Sequence, residues 1–365
     1  MKEIIKHNTG KSICHLLTTL ILLTMLACSS DMRNSLEPVD SAFGPANQVI
    51  VVADKDVWEG AVGDTFQYYF EAAYPILPQP EPLFDLIHFT PEDLKAEPIR
   101  KRKRTYVVLG AINDMESSTA QLLRADLGDQ NIDRAAKEKT YNSTLGKNKW
   151  AHGQTIVYLF GNNDQELTKN IKDKFPAIAK RINTADEDVI SSTTYARGVS
   201  KSLSDEVREK MRVEIDIPGD YVLAIHDENT MWLRSETDFL SSNILIHKLP
   251  YKDKSQFTQA GMKAIRDSLG RKYVSTEIEN TYMRTNDVDL PMLTKVITLN
   301  DNYAMEARGI WDIVNDYMGG PFISYLIHNT EKNELLFVDG FVHAPGKKKR
   351  NYMQHLEQIF STVKF

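Results

Sequence analysis

Cysteine is nearly absent from this sequence, which holds only Cys14 and Cys28 among 365 residues. Because both lie near the N-terminus, nothing beyond Cys28 can form an internal disulfide, act as a thiolate nucleophile or supply cysteine ligands to zinc. Glycine and proline are modest as well, at 18 and 14, which excludes a collagen-like chain. With 42% hydrophobic residues this is an ordinary globular protein, and its length suggests two domains.

Long hydrophobic runs are missing too. The uncharged stretch His15–Ala27 is about 13 residues long, whereas a helix needs ~20 apolar residues to span a bilayer. Three lysines precede this stretch and Cys28 follows it, so residues 1–27 are predicted to be a signal peptide. Ala27-Cys28 resembles a bacterial lipobox, which predicts a lipoprotein whose Cys28 carries palmitate or a similar acyl chain. The alternative is a secretory signal without lipidation.

A flexible tether is predicted over residues 28–47, which are rich in serine, proline and aspartate without periodicity. Within it, Asp40-Ser41-Ala42 resembles a short O-glycosylation signal, and Ser41 is therefore a candidate modification site. Residues 1–27 hold three lysines and one glutamate, so their removal changes the formal net charge from −6 to −8. Such an acidic chain is poorly suited to phosphate backbones, and no nucleic-acid partner is expected.

The first half of the folded part, residues 48–190, alternates β-rich runs with amphipathic stretches. This pattern predicts an α/β domain whose last helix bends or breaks near Pro176. Residues 191–211 are polar with helical propensity and are predicted to connect two domains.

The second half, residues 212–365, predicts an α+β domain in which helices pack on an antiparallel sheet. A strand meander begins with Arg212–Ile217, and the helix that follows it is expected to stop at Gly270. Apolar and charged residues alternate over Tyr303–Ile313, which predicts a strand with one face in solvent. A hairpin and an amphipathic C-terminal helix close the chain.

Catalytic signatures are missing: the sequence has no G-x-S-x-G, H-E-x-x-H, Rossmann glycine triplet or EF-hand loop. No cofactor, no metal and no catalytic residue is therefore predicted. One charged face of the predicted strand, beside an aromatic residue and two glycines, is the best candidate for binding. These candidate residues are Glu306, Arg308, Trp311, Asp312, Gly319 and Gly320.

In this candidate site, Arg308 is suited to a carboxylate or phosphate, and Trp311 supplies a flat wall. The alternative is that Glu306 and Arg308 form an ordinary cross-strand network while Trp311 fills the core.

Two basic segments suggest anionic partners. The first precedes a strand and is predicted to contact lipid headgroups or lipopolysaccharide, unless it is simply a solvated loop. It consists of Arg100, Lys101, Arg102, Lys103 and Arg104. The second, Lys347–Arg350, opens the last helix, where positive charge is disfavoured by the helix dipole and hints at an external anion.

Several spaced motifs together resemble a known family. They are Asn243-Ile-Leu-Ile246 with Pro250-Tyr251, Arg266-Asp267-Ser268, Glu306-x-Arg308-Gly309-x-Trp311, Met318-Gly-Gly-Pro-Phe322-x-Ser324 and Gly340-Phe-Val-x-Ala-Pro345 with Lys349-Arg350. This set is similar to an uncharacterised lipoprotein family of Bacteroidota-type bacteria, a domain of unknown function, over nearly the whole mature chain. The order of elements in the second half also looks like the sandwich of the photosystem subunit PsbP, a fold that mostly serves binding or assembly. A shared fold does not by itself establish a shared function.

The sequence therefore predicts an envelope lipoprotein, anchored in the outer membrane through Cys28 and facing the periplasm or the cell surface. Its predicted role is a non-catalytic accessory that binds another envelope protein or a glycan. The alternative is a binder of glycans or small ligands, or an unrecognised hydrolase, that uses a cleft between the two halves.

Overall fold

The computed structural model describes residues 40–365, whose first half builds a five-stranded sheet. Its strands are β1 (Gln48–Val52), β2 (Asp85–Phe89), β3 (Thr105–Ala111), β4 (Ser143–Lys147) and β5 (Thr155–Gly161). They lie in the order β2-β1-β3-β5-β4, with β4 the only antiparallel neighbour in the described sheet. β1, β3 and β5 are almost entirely apolar because helices cover both faces of the sheet.

Within the described residues, six α-helices belong to this half, together with a short 3-10 helix at Pro98–Arg102. They are α1 (Lys55–Trp58), α2 (Ala61–Phe70), α3 (Pro91–Ala96), α4 (Ser118–Leu127), α5 (Asp129–Lys137) and α6 (Asp164–Thr194). α2 and α6 pack on one face, and α3, α4 and α5 contribute side chains to the other. The predicted start of α3 is present as a capping box, in which Thr90 and Asp93 each bond the other's backbone N–H.

The second half builds an eight-stranded antiparallel sheet, here called the C-terminal sheet. Its strands are β6 (Val222–His226), β7 (Thr230–Thr237), β8 (Leu240–Pro250), β9 (Tyr282–Asn286), β10 (Leu293–Leu299), β11 (Asn302–Val314), β12 (Gly319–Asn329) and β13 (Glu334–His343). The order is β10-β11-β12-β13-β8-β7-β6, and β9 pairs with the far end of β11. The α/β half followed by an α+β half is the predicted fold class, which is confirmed.

Three helices cover this sheet: α7 (Lys201–Met211), α8 (Gln259–Tyr273) and α9 (Arg350–Phe360). α7 and α9 pack against one face, where Val207, Leu356 and Phe360 are fully buried. α8 packs against the opposite face through Met262 and Leu269. The sheet is therefore covered on both sides over most of its area.

Three details differ from the sequence predictions. α6 continues through Pro176, because Ile171 and Ile178 on either side of it are both buried against the first sheet. α8 runs on to Tyr273, since Gly270 serves close packing: a Cβ there would lie 2.6 Å from the carbonyl oxygen of Met283. Residues 212–217 form no strand: their one β-bridge is the isolated pair Glu214–Lys364, and Asp216 and Ile217 instead donate their backbone N–H groups to the side chains of Thr362 and Ser204.

The two halves are joined by hydrogen bonds around the start of α9. Arg350, whose side chain is 4% exposed, donates to Asp85 at 2.5 Å and to the carbonyl of Pro82 at 2.6 Å. The backbone N–H groups of Lys349 and Arg350 donate to the carboxylate of Glu81. The anion expected at this basic helix start is thus present inside the protein, supplied by the other half.

No helix within residues 40–365 combines the length and apolarity that a membrane crossing requires. The same residues contain no group of three or more histidine, cysteine or acidic side chains placed to hold a metal ion.

Candidate binding cleft between the two halves

Strand β11 divides the predicted binding residues between the two faces of the C-terminal sheet. Glu306 and Arg308 point toward α9, whereas Trp311 points to the α8 side and is 3% exposed. The face predicted to lie in solvent is instead covered, and Glu306 is 5% exposed. Alternation identified the two faces correctly, but the polar one is buried by residues from elsewhere in the chain.

Arg308 is held by carboxylates and a tyrosine from both halves. Its Nε donates to Glu306 Oε1 at 2.7 Å, and its Nη1 donates to Glu357 Oε1 of α9 at 2.5 Å. The same Nη1 reaches the hydroxyl of Tyr74 at 3.2 Å, and that hydroxyl donates to Glu357. Lys295 adds a second cation to Glu306 at 3.1 Å. The result is an ion network that connects β11, α9 and the segment after α2.

The pKa shifts in this network follow from burial and charge. Burial alone would raise the pKa of Glu306, but Arg308 and Lys295 outweigh it and lower the pKa below its usual range. Burial opposes the charge of Arg308, yet Glu357, Tyr74 and Glu306 raise its pKa further above the ordinary value. Burial, followed by the nearby Glu357, raises the pKa of Tyr74 well above 10. Glu306 and Arg308 are therefore both charged at neutral pH, and Tyr74 keeps its proton.

A cleft with a volume of about 610 Å³ opens beside this network, between α6 and α9. We refer to it as the interhelical cleft. Most of its lining side chains carry amide, hydroxyl or carboxylate groups, and both halves contribute. It is lined by Asn47, Tyr74, Leu83, Asn183, Glu187, Asp188, Ile190, Ser191, Gln354, Glu357, Gln358 and Ser361.

The lining groups fall into two kinds. Asn47 and Gln354 hold the cleft together, because their side-chain amides exchange hydrogen bonds at 2.8 and 2.9 Å. The backbone N–H of Asn47 also donates to Asp186 at 2.7 Å, and burial raises the pKa of that carboxyl. The side-chain carboxylates of Glu187 and Asp188, by contrast, have no ion-pair or hydrogen-bond partner within the part of the chain that the structure describes. These two carboxylates are available to a ligand.

Asp312 and the two glycines lie apart from Arg308. Asp312 accepts from Arg284 Nε at 2.7 Å and from Asn286 at 3.0 Å, at the end of β11 that pairs with β9. Gly319 and Gly320 begin strand β12 and pair with Asp312 and Trp311 in the sheet. They belong to a strand rather than to the turn expected from the sequence.

The basic segment before β3 lies beside the first described residues. Three arginines pair with carboxylates of the fold: Arg100 with Asp93 and Glu97, Arg102 with Asp40, and Arg104 with Asp186. The two lysines, Lys101 and Lys103, have no carboxylate within 4.0 Å among residues 40–365.

Of the two predicted modification sites, only Ser41 lies within the described residues. Ser41 is exposed and forms a bridge with His152. Cys28 lies outside the described residues, as does most of the predicted tether.

Sequence analysis did not identify Tyr74 and Glu357 as partners of Arg308. They lie 234 and 49 residues from it in the chain, and no local pattern marks them. Glu187 and Asp188 were likewise not singled out, because two acidic residues on a polar helix resemble any solvated helix face.

Two family models match the chain, and neither has an assigned function. Residues 42–194 match a domain of unknown function (DUF8532), and residues 200–362 match another domain of unknown function (DUF4837). No curated protein matches.

The Saccharomyces cerevisiae Ran-binding protein Mog1p is similar over 42% of this chain and 89% of its own, with 12% identity and a TM-score of 0.27. The human StarD13 lipid transfer and protein localization domain is similar over 44% of this chain and 92% of its own, with 12% identity and a TM-score of 0.21. At these TM-scores neither likeness supports a fold or a function.

Proposed function

We propose that this chain is a lipid-anchored protein of the bacterial cell envelope that binds a hydroxyl-rich ligand, such as a glycan, in the interhelical cleft. The observation that carries the proposal is the cleft itself: about 610 Å³ of space whose walls come from both halves and present mainly hydrogen-bonding groups. A volume of this size is in the range of small-ligand sites.

The chemistry of the lining favours hydroxyl groups over other ligands. Amide side chains both donate and accept, and the free carboxylates of Glu187 and Asp188 accept from hydroxyls. Arg308 is already neutralised by Glu306 and Glu357, so it is not available to attract an anion. The cleft is therefore acidic, and a neutral or cationic ligand fits it better than a phosphorylated one.

A protein partner docking on the predicted residues is less well supported. Trp311 is almost fully buried, and the side chain of Arg308 is 15% exposed and fully engaged in ion pairs. A partner would therefore have little of either residue to contact. For this reason the cleft, rather than the originally predicted patch, is taken as the binding site.

The location is proposed from the N-terminal sequence. Cys28 after Ala27 is suited to acylation, and the resemblance to a lipoprotein family of Bacteroidota-type bacteria is consistent with an outer-membrane protein facing the periplasm or the cell surface. Twelve positions separate Cys28 from Asp40, which limits the fold to within about 40 Å of the anchor. Lys103 pairs with Phe43, close to the first described residues, and we expect Lys101 and Lys103 to contact anionic headgroups from this position. The likeness to PsbP in element order also fits a binding role.

Binding in the cleft is tested by isothermal titration of the protein without its predicted signal peptide and Cys28 (residues 29–365) with neutral oligosaccharides of N-acetylglucosamine, galactose and mannose. We expect one of these neutral glycans to bind, and the double variant Glu187→Gln, Asp188→Asn to weaken that binding at least tenfold. Asp173→Asn is the matched control, since Asp173 is an exposed carboxylate of the same helix outside the cleft. Equal affinity of the double variant and the control would contradict the proposal.

Anchoring is tested by Cys28→Ala in the full chain. The variant is expected in the soluble fraction after cell lysis, while the wild type sediments with membranes. Sedimentation of both would show that the lipid is not what holds the protein there.

A further inference from the structure

A concavity of about 300 Å³ lies on the first half of the protein, between α3 and α4, and it shares no lining residue with the interhelical cleft. Leu122 and Ala125 of α4 supply apolar walls, and Trp150, in the loop between β4 and β5, supplies an aromatic one. Leu122 and Trp150 are half-buried and Ala125 is exposed, so a ligand can contact all three side chains. We call this concavity the lysine-rimmed pocket.

The charged residues that line the lysine-rimmed pocket are both lysines: Lys95 of α3 and Lys101 of the 3-10 helix. Ser118 and, to a smaller extent, Lys95 lower the pKa of Glu92, so Lys95 already has an anionic neighbour. Lys101, in contrast, forms no ion pair within residues 40–365. Lys101 is therefore the cation of this pocket that is available to a bound anion.

Lys101 also differs from the other members of the basic segment 100–104. The three arginines of that segment pair with carboxylates of the fold. Lys103 lies over the ring of Phe43, with its Nζ 4.6 Å from the ring centroid, and does not line the pocket. The anion that the sequence predicts for this segment is therefore best placed at Lys101, beside the apolar walls.

A buried glutamine holds the two loop segments of the lysine-rimmed pocket together. Gln154, which is 2% exposed, donates from Nε2 to the carbonyl oxygen of Lys101 at 2.6 Å. Its Oε1 accepts from the backbone N–H of Trp150 at 2.8 Å. The ring of Trp150 also packs edge to face against Tyr106, with centroids 5.1 Å apart. The backbone of Lys101 and the aromatic wall are thus fixed relative to each other before a ligand binds, which lowers the entropy cost of binding.

The volume and the walls of the pocket limit the ligand to a small amphipathic anion. A volume of about 300 Å³ is at the lower end of small-ligand sites. At ~30 Å³ for each non-hydrogen atom, the space holds about ten of them. An inorganic anion would gain nothing from the apolar walls, whereas each methylene group that leaves water against them adds to the affinity.

We propose that the lysine-rimmed pocket binds a fatty acid of about eight carbons, with its carboxylate at Lys101 and its chain against Leu122, Ala125 and Trp150. This site is separate from the interhelical cleft, and the proposal depends neither on that cleft nor on the lipid anchor. The pocket contains one of the four tryptophans of the chain, so binding is expected to change tryptophan fluorescence.

The test is isothermal titration of residues 29–365 with octanoate, with octan-1-ol as the neutral comparison and acetate as the anion without a chain. Octanoate is expected to bind more tightly than octan-1-ol, and acetate is expected not to saturate the protein. Lys101→Gln should weaken octanoate binding about 3- to 10-fold, as for a partly solvated hydrogen bond between charged groups, and should leave octan-1-ol binding unchanged. Lys103→Gln is the matched control and should bind octanoate like the wild type.

Two further variants locate the ligand. Ala125→Glu places a carboxylate in the pocket from an exposed position of α4, where glutamate suits the helix, and it should abolish octanoate binding. Circular dichroism checks that this variant keeps its fold. Saturating octanoate should change the fluorescence of the wild type, and Trp150→Phe should lose that change.

Four results would overturn the proposal. They are the absence of saturable octanoate binding, equal octanoate affinity of Lys101→Gln and Lys103→Gln, undiminished binding to Ala125→Glu, and a fluorescence change that persists in Trp150→Phe. The double variant Glu187→Gln, Asp188→Asn should bind octanoate like the wild type. A loss in that variant would place octanoate in the interhelical cleft, which also contradicts the proposal.

Discussion

Replacing Arg308 by methionine removes the cation at the centre of the ion network while keeping much of the side-chain volume. Glu306 and Glu357 then face each other near Tyr74 without the guanidinium that neutralises both. Removing one partner of a buried ion pair typically costs 3–5 kcal/mol, because the remaining charge is left uncompensated. Glu357 is 31% exposed and partly hydrated, so about 3 kcal/mol is the expected loss in the free energy of unfolding.

The loss depends on pH in a defined direction. In the wild type the pKa of Glu306 is lowered, so its ionised form stabilises the fold above the ordinary carboxyl range, and this contribution disappears as pH falls through the lowered pKa. In Arg308→Met, burial remains while its main cation is gone, so the pKa of Glu306 rises and protonation relieves the buried charge. The difference between the two proteins should therefore be largest at pH 7 to 8 and shrink below about pH 5.

Urea unfolding at several pH values, followed by circular dichroism, measures this difference. Arg284→Met is the control, because Arg284 forms its ion pair with Asp312 while half-exposed, and pairs of that kind contribute less than about 1 kcal/mol. A loss at neutral pH no larger than the control's, or one that stays constant from pH 4 to 8, would refute the reasoning.

Two further predictions concern local geometry. Gly320→Ala should lower the free energy of unfolding by about 3 kcal/mol, since its Cβ would lie 1.9 Å from the carbonyl oxygen of Val342 and force β12 from β13; an unchanged urea midpoint would contradict this. Thr90→Ala should cost about 1 kcal/mol by removing the capping box with Asp93. The exposed mid-helix Thr184→Ala is its control, and a loss no greater than the control's would mean that the cap contributes nothing.

Local sequence patterns predicted two kinds of element correctly: strands that are apolar on both faces, and helices whose first turn is capped by their own side chains. The runs Gln48–Val52 and Thr155–Gly161 are strands because they are apolar on both faces, and Thr90 starts a helix through its own side chain. Strand β4, Ser143–Lys147, was missed because it is a half-exposed edge strand with a glycine and little apolar alternation.

Other errors arise because an alternating sequence pattern indicates which residues are buried but does not identify the part of the chain that covers them. Val213, Ile215 and Ile217 alternate and are buried, yet no strand pairs with them. The polar face of β11 is likewise a correct alternation, but its cover comes from Glu357 and Tyr74, far away in the sequence. The candidate site was therefore predicted as one exposed patch. The structure instead places Glu306 and Arg308 in a buried network, Trp311 in the core on the opposite face of the sheet, and Asp312 in an ion pair with Arg284.

The central claim is that the interhelical cleft binds a neutral envelope glycan. Amide hydrogen exchange of residues 29–365, with and without the neutral oligosaccharide that binds in the titration, tests it most directly. We expect slower exchange in the two segments that face the cleft, residues 183–191 of α6 and 354–361 in and just after α9, and loss of that protection in Glu187→Gln, Asp188→Asn. Unchanged exchange in both segments at ligand concentrations that saturate binding elsewhere would contradict it.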